Sequence, residues 1–212
     1  MNLLTLPYLM QVSRWPKAGR HILAQFDENS IVVYQAYRPA IGDFAALHGY
    51  FGGEFKLSRM SWIKPNFLWM MYRSGWGTKE GQEVILAVRL KRSAFDEILT
   101  AAVHSTCVPE VYASEKEWKQ AAKRSFVRLQ WDPDHHPSGM KLDRKAIQLG
   151  LRGEFLVHYA QDWIINIEDI SEFVQEQRQN LKEGMANLLT PSEEVYPITN
   201  SDTAKRLQIS VT

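Results

Sequence analysis

Alternation of apolar and polar positions marks out strands along this chain, and apolar residues spaced three to four apart mark out helices. Ile31-Val32-Val33-Tyr34-Gln35-Ala36-Tyr37 is β-branched and aromatic and predicts a strand, as does the run from 83 to 90. Residues 21–26 alternate more weakly. With the turn residues Asp27-Glu28-Asn29-Ser30 they predict a hairpin onto the 31–37 strand. Further strands are predicted over 55–63, 125–131 and 163–167, with an extended piece over 108–112. Helices are predicted over 41–51, closed by Gly52-Gly53, and over 66–73, entered after Pro65 and stopped by Gly75 and Gly77. Capping patterns at Ser93 and Ser114 open two more, and 170–189 reads as another. Residues 142–159 are predicted to be mainly helical across Gly150 and Gly153, and DPDHHPSG at 132–139 a loop.

Strands and helices are interspersed without a regular βαβ rhythm, a dinucleotide or P-loop glycine motif, or an internal repeat. The expected architecture is one α+β domain over residues 19–189, with a largely antiparallel sheet flanked by helices. A Leu-rich lead-in (1–18) and a polar, loosely held tail (190–212) frame it. A chain of 212 residues is long enough for a substantial core. Cys107 is the sole cysteine, which excludes an intrachain disulfide and fits a reducing cytoplasm. The N-terminal residues lack a basic n-region, and no apolar run approaches membrane-spanning length, so neither a signal peptide nor a membrane partner is expected.

Charge changes the picture locally. The formal net charge is only +1, but eight basic and two acidic residues between 56 and 92 make that segment strongly cationic. At its centre lies RMSWIKPNFLWMMYRSGWG, residues 59–77, where Trp62, Trp69 and Trp76 recur every seventh residue among Arg59, Lys64 and Arg73. Guanidinium and ammonium groups bind phosphate, and indole and phenol faces stack on rings. Trp69 and Arg73, four apart on a helix, share a face with Tyr72 close by; Trp62 and Lys64 share a side of the preceding strand. The combination points to a cleft for an anionic, ring-bearing ligand of nucleotide type, with nucleic acid a further candidate partner. Phe67, Leu68, Met70 and Met71 are expected in the core. The Asp132, Asp134, His135 and His136 cluster lacks a partner cluster at metal-ligand spacing, so no metal is expected. His135 retains the option of a general base, and Glu154 that of a catalytic acid.

The segments VYQAYRP, RMSWIKPNFLWMMYRSGWGTKEGQEVILAVRLKR, QWDPDHHPSGMKLDRKAIQLGLRG and DWIINIEDIS resemble domain-of-unknown-function family 4291, over about residues 19–180. That family name implies no activity. The order of elements is also similar to the NAD-binding core of the ADP-ribosyltransferase superfamily, including branches that modify DNA and RNA. This likeness implies NAD as cofactor and a first-strand residue holding its ribose, in the region of Tyr34, Gln35 and Arg38. Gln35 departs from the His or Arg expected there. It implies that Ser61 and Trp62 meet the nicotinamide, and that a late glutamate, Glu154, stabilises positive charge on the ribose provided its segment is not helical. Arg59, Lys64 and Arg73 would then take phosphates, and Trp69 and Tyr72 rings. Three other readings remain: a non-catalytic RNA- or nucleotide-binding domain, a phosphoesterase or nuclease using His135 or His136, and an interaction protein presenting an apolar patch from residues 1–12. Oligomeric state is not legible.

Overall fold

The computed structural model describes residues 3–210. In chain order the elements are β1 (Thr5–Pro7), α1 (Tyr8–Val12), β2 (Gly19–Arg20), β3 (Leu23–Ala24), β4 (Ser30–Tyr37), α2 (Pro39–His48), β5 (Ser61–Ile63) and α3 (Phe67–Ser74). They continue with β6 (Val84–Lys91), α4 (Arg92–Ala101), β7 (Ala102–His104), α5 (Glu115–Arg124), β8 (Val127–His135), β9 (Lys141–Leu151), α6 (Gly153–Gln161) and β10 (Ile164–Asp169). Last come α7 (Ser171–Glu183), a 3-10 turn (Met185–Asn187), β11 (Leu189–Pro191), β12 (Glu194–Val195) and α8 (Ser201–Arg206).

Two sheets form the frame, and most of their pairings are antiparallel. In the first, β6 lies between β4 and β10. In the second, β9 is flanked on one edge by β8, and on the other by β5 and the short parallel strand β2; β7 extends the sheet beyond β8. One bridge joins the sheets: Tyr34 N donates to Lys64 O at 2.7 Å, and Lys64 N donates to Tyr34 O at 3.2 Å. Beyond it the β4–β5 ladder stops. There Gln35 Nε2 donates to Trp62 O at 3.2 Å, so a side chain takes the place of the next backbone bond. The strands run in the order β7-β8-β9-β5-β4-β6-β10, with a split between β5 and β4.

Two apolar cores lie on opposite faces. Ile31, Val33, Val88 and Leu90 join Phe95, Leu149, Leu151 and Leu156 in one; Val32, Tyr34, Phe67 and Met71 join Ile85, Ala87 and Val174 in the other. Alternation along β4 feeds both, as a period of two requires.

The structure corrects several sequence expectations. Residues 142–159 are not one helix: 141–151 form β9, and α6 starts at Gly153. Ile147, Leu149 and Leu151 alternate with Gln148 and Gly150, which leaves one greasy and one polar face. Gly150 is needed because a Cβ there would come within 3.0 Å of two Trp62 ring carbons. The expected loop at 132–139 begins as strand. β8 runs to His135 through a register shift between Pro133 and His135, the kind of irregularity that accommodates proline. The strand expected over 55–63 is formed only by Ser61–Ile63, and 108–112 is turn rather than extended.

Lead-in and tail, described over 3–18 and 190–210, are stitched to each other. β1 pairs with β11, Gln11 Nε2 donates to Thr190 Oγ1 at 2.8 Å, and Trp15 Nε1 donates to Glu193 O at 2.8 Å. The tail is polar because its polar groups are used: Arg206 reaches the carbonyls ending α4, and Trp131 Nε1 donates to Leu207 O at 3.0 Å over a fully buried Leu207. Leu4, Leu9 and Met10 are exposed on the N-terminal segment.

Arg144 on β9 anchors this belt to the sheet. It donates to Asp134 Oδ2 through Nε at 2.8 Å and Nη2 at 2.6 Å, gives Nη1 to Pro16 O at 2.6 Å, and lies over the Trp15 ring. Both partners are almost completely buried. Removing one leaves an uncompensated charge in the interior. Asp134→Ala is therefore expected to lower the unfolding free energy by about 3–5 kcal/mol. Replacing the pair with Leu and Met should cost less than either single change; denaturant titration of the three variants checks both expectations.

Candidate functional site

The split in the sheet opens into two adjoining chambers. The first, about 400 Å³, lies between α3 and the polar face of β8 and β9. Its lining includes Gln35 and Tyr37 from β4, Ser61, Trp62 and Lys64 around β5, Met70 and Arg73 from α3, and Gln130 and Gln148 from the sheet. The second, also about 400 Å³, shares Tyr37, Met60 and Ser61 and is bounded by Arg38, Ile41, Glu54, Phe55, Lys56 and Arg59.

Register explains the lining. Gln130 pairs with Gln148 across β8 and β9, and Ile63 pairs with Leu149 across β5 and β9. Continued by one residue, that register sets Lys64 opposite Gln148, so Gln130, Gln148 and Lys64 form a row on one face. Trp62 pairs with Gly150, and its ring lies across the space left by the missing Cβ. α3 is fixed over this face by its N-terminus. Asn66 accepts from Trp69 N at 2.7 Å, and Glu193 accepts from Phe67 N at 2.6 Å and from Asn66 Nδ2 at 2.9 Å. Burial holds the Glu193 carboxyl well above the ordinary range, opposed by these hydrogen bonds.

Lys64 is the electrostatic centre. It is only 5% exposed, and none of the ion pairs among the described residues includes it. Burial, reinforced by the nearby Arg73 guanidinium and opposed by Asp132, lowers its pKa from 10.5 to about 8. A buried ammonium without a counterion is costly unless a ligand supplies one. On the opposite wall a neutral network is already satisfied. Gln35 Nε2 donates to Tyr37 Oη at 2.8 Å and Ser61 Oγ at 2.9 Å, Tyr37 Oη and Ser61 Oγ share a hydrogen at 2.7 Å, and Tyr159 Oη donates to Gln35 Oε1 at 2.5 Å. Burial raises the Tyr37 and Tyr159 phenols, which keeps this network uncharged.

Of the residues singled out from sequence, Gln35, Ser61, Trp62, Lys64 and Arg73 meet at the first chamber, and Arg38 and Arg59 at the second. Arg38 pairs there with Glu54. Tyr34 does not join them: it alternates with Gln35 and is buried against Phe67 in the core. Trp69 and Tyr72 lie parallel to the His135 ring, at centroid separations of 5.2 and 3.5 Å, and line neither chamber. The stack buries His135, and burial lowers its pKa. Trp76 packs on Phe67. Glu154 is exposed on the first turn of α6, outside both chambers. The condition attached to it, a non-helical segment, is not met.

Sequence reasoning passed over Gln130 and Gln148 and weighed Asp132 only as a metal ligand. The alternation in SFVRLQW places Gln130 opposite the apolar face, and the same reading of KLDRKAIQLGL would have placed Gln148. Among the described residues, no three His, Cys, Asp or Glu side chains converge on a metal-sized site. No described helix is long and apolar enough to cross a membrane.

No curated protein matches the chain. A family model does, over residues 21–196, a span that holds every strand from β3 to β12, helices α2 to α7 and both chambers. The chain therefore belongs to the family described as Domain of unknown function (DUF4291).

Proposed function

We propose that the two-chambered cleft binds NAD, and that ADP-ribosyl transfer is the reaction it serves. The observation that carries this reading is Lys64, a nearly buried ammonium without an ion-pair partner, beside Arg73 and in the same chamber as an indole. A pyrophosphate supplies the missing negative charge, with Lys64 and Arg73 as its ligands. Trp62 offers a face to the nicotinamide ring, and the Tyr37 and Ser61 hydroxyls, held in place by Gln35, face the adjoining ribose. Loss of nicotinamide builds positive charge on that ribose, which a preorganised carboxylate stabilises. Glu154 is too far out on α6 to be that group; the carboxylate beside the cleft floor is Asp132, held by Gln130 and Gln148.

A second reading, nucleotide binding without turnover, is favoured by the ties on Asp132, whose two oxygens already accept from glutamine amides. The readings separate on nicotinamide release from bound NAD.

Calorimetric titration with NAD tests the site itself. Saturable binding is expected, weakened at least tenfold by Trp62→Ala or Lys64→Ala, about the loss of one charge-assisted contact or stacked ring. Glu154→Gln should bind as wild type does. Absence of saturable binding, or retention of full affinity in both cleft variants, rejects the NAD reading.

Lys64 also sets the pH dependence. Its folded pKa of about 8 lies below the ordinary 10.5, so the fold disfavours its charged form. That penalty is complete below pH 8, shrinks as pH rises toward 10.5 and vanishes above it. Lys64→Met should therefore stabilise the unliganded protein at pH 7, by on the order of 3 kcal/mol at most, while weakening NAD binding at least about tenfold. Affinity for NAD should be flat from pH 6 to 7 and fall about tenfold per unit above pH 8, as the ammonium is lost. Denaturant titration of the variant and calorimetry across pH measure the two effects.

A further inference from the structure

Gln130 and Gln148 stand directly opposite each other on β8 and β9, and both line the first chamber. Gln130 Nε2 donates to Asp132 Oδ1 at 2.9 Å, and Gln148 Nε2 donates to Asp132 Oδ2 at 2.8 Å. An ionised carboxylate only accepts hydrogen bonds, so both glutamines must turn their NH2 groups toward Asp132. Their carbonyl oxygens are then directed away from it, as a pair of acceptors on the chamber wall. Lys64, next in the same row, carries only donors. The Trp62 ring lies over Gly150, two positions along β9 from Gln148 and on the same face.

We propose that the paired Oε1 atoms of Gln130 and Gln148 form a subsite for a primary carboxamide on a ring stacked against Trp62, and that Asp132 is the positioning residue that makes the subsite selective. A carboxamide NH2 has two N–H donors for the two Oε1 acceptors, and its carbonyl accepts from Lys64. A methyl ketone of the same shape keeps the carbonyl but strands both acceptors, and unpaired acceptors away from water are penalised. The inference deepens the NAD reading and rests on it: the carboxamide is that of nicotinamide.

The test compares NAD with its 3-acetylpyridine analogue, in which a methyl replaces the amide NH2, by calorimetry on the full chain. Wild-type protein is expected to bind NAD at least about tenfold more tightly. In Asp132→Asn the new side chain offers one acceptor and one donor, so one glutamine reverses and shows the chamber its NH2. The preference should then fall below about threefold, with thermal unfolding still cooperative. Both ligands carry the same charge, so an electrostatic effect of the substitution cancels in the ratio and only the amide orientation moves it. Gln148→Met removes one acceptor by a separate route and should shrink the ratio likewise, even if Asp132→Asn does not fold. Equal wild-type affinity for the two ligands overturns the subsite and leaves the NAD reading standing, as does an unchanged ratio in the variants that fold. Failure to bind either ligand overturns both.

Discussion

The backbone bridge between Tyr34 and Lys64 is the constraint on which the rest depends. It joins a three-stranded sheet to a five-stranded one at a single residue pair, and the strands separate immediately afterwards. A continuous ladder would close the cleft. A missing bridge would leave β4 and β5 free to slide, and a slip of one residue would exchange Gln35 for a core side chain. Gln35 holds the separation by sharing the two hydrogens of its amide NH2 among the Trp62 carbonyl, the Ser61 hydroxyl and the Tyr37 phenol. The opening is thus a hydrogen-bonded part of the fold.

The same bridge places Lys64 where its charge is costly. Its backbone completes the joint while its side chain enters a chamber whose other cation is Arg73. Stability alone favours an apolar residue there, since burying an unpaired ammonium opposes folding. Asp134 and Arg144 show what this chain does with buried charge that serves the fold: the two are matched and doubly hydrogen-bonded. The contrast separates a structural charge from one left for a ligand.

Much of this was legible in the residues themselves. β4 and β6 announce themselves by β-branched runs, and α3 by its apolar period between Asn66 and Gly75. The basic, aromatic stretch did contain the residues that meet at the cleft, though Trp69 and Tyr72 stack on His135 and Trp76 packs on Phe67 instead, because helical spacing gives a shared face without saying which way it points. β9 was illegible for a local reason. Its polar face carries Gln148 and Gly150 where an amphipathic helix also tolerates polar residues, and the glycine that Trp62 requires is visible only once β5 lies alongside. Glu154 came from the superfamily likeness rather than from the residue pattern, which already read its segment as helical; on the first turn of α6 it is exposed.

The tail holds a similar lesson about distance. Glu193 comes from a segment that composition marks as loose, yet its carboxylate receives Phe67 N and Asn66 Nδ2 at the start of α3. An acid at a helix N-terminus meets both the unsatisfied amides and the positive end of the dipole. It offsets part of its burial by fixing the helix that carries Met70 and Arg73 over the chamber. Trp15 donates to the carbonyl of that same residue, and Arg144 lies against Trp15, so the belt of both termini converges on the lid of the cleft. The matched family region runs to residue 196 and includes Glu193, whereas the N-terminal partner Trp15 lies outside it. The clamp on α3 therefore lies within the matched region, and it is completed by a hydrogen bond from Trp15, a residue before that region.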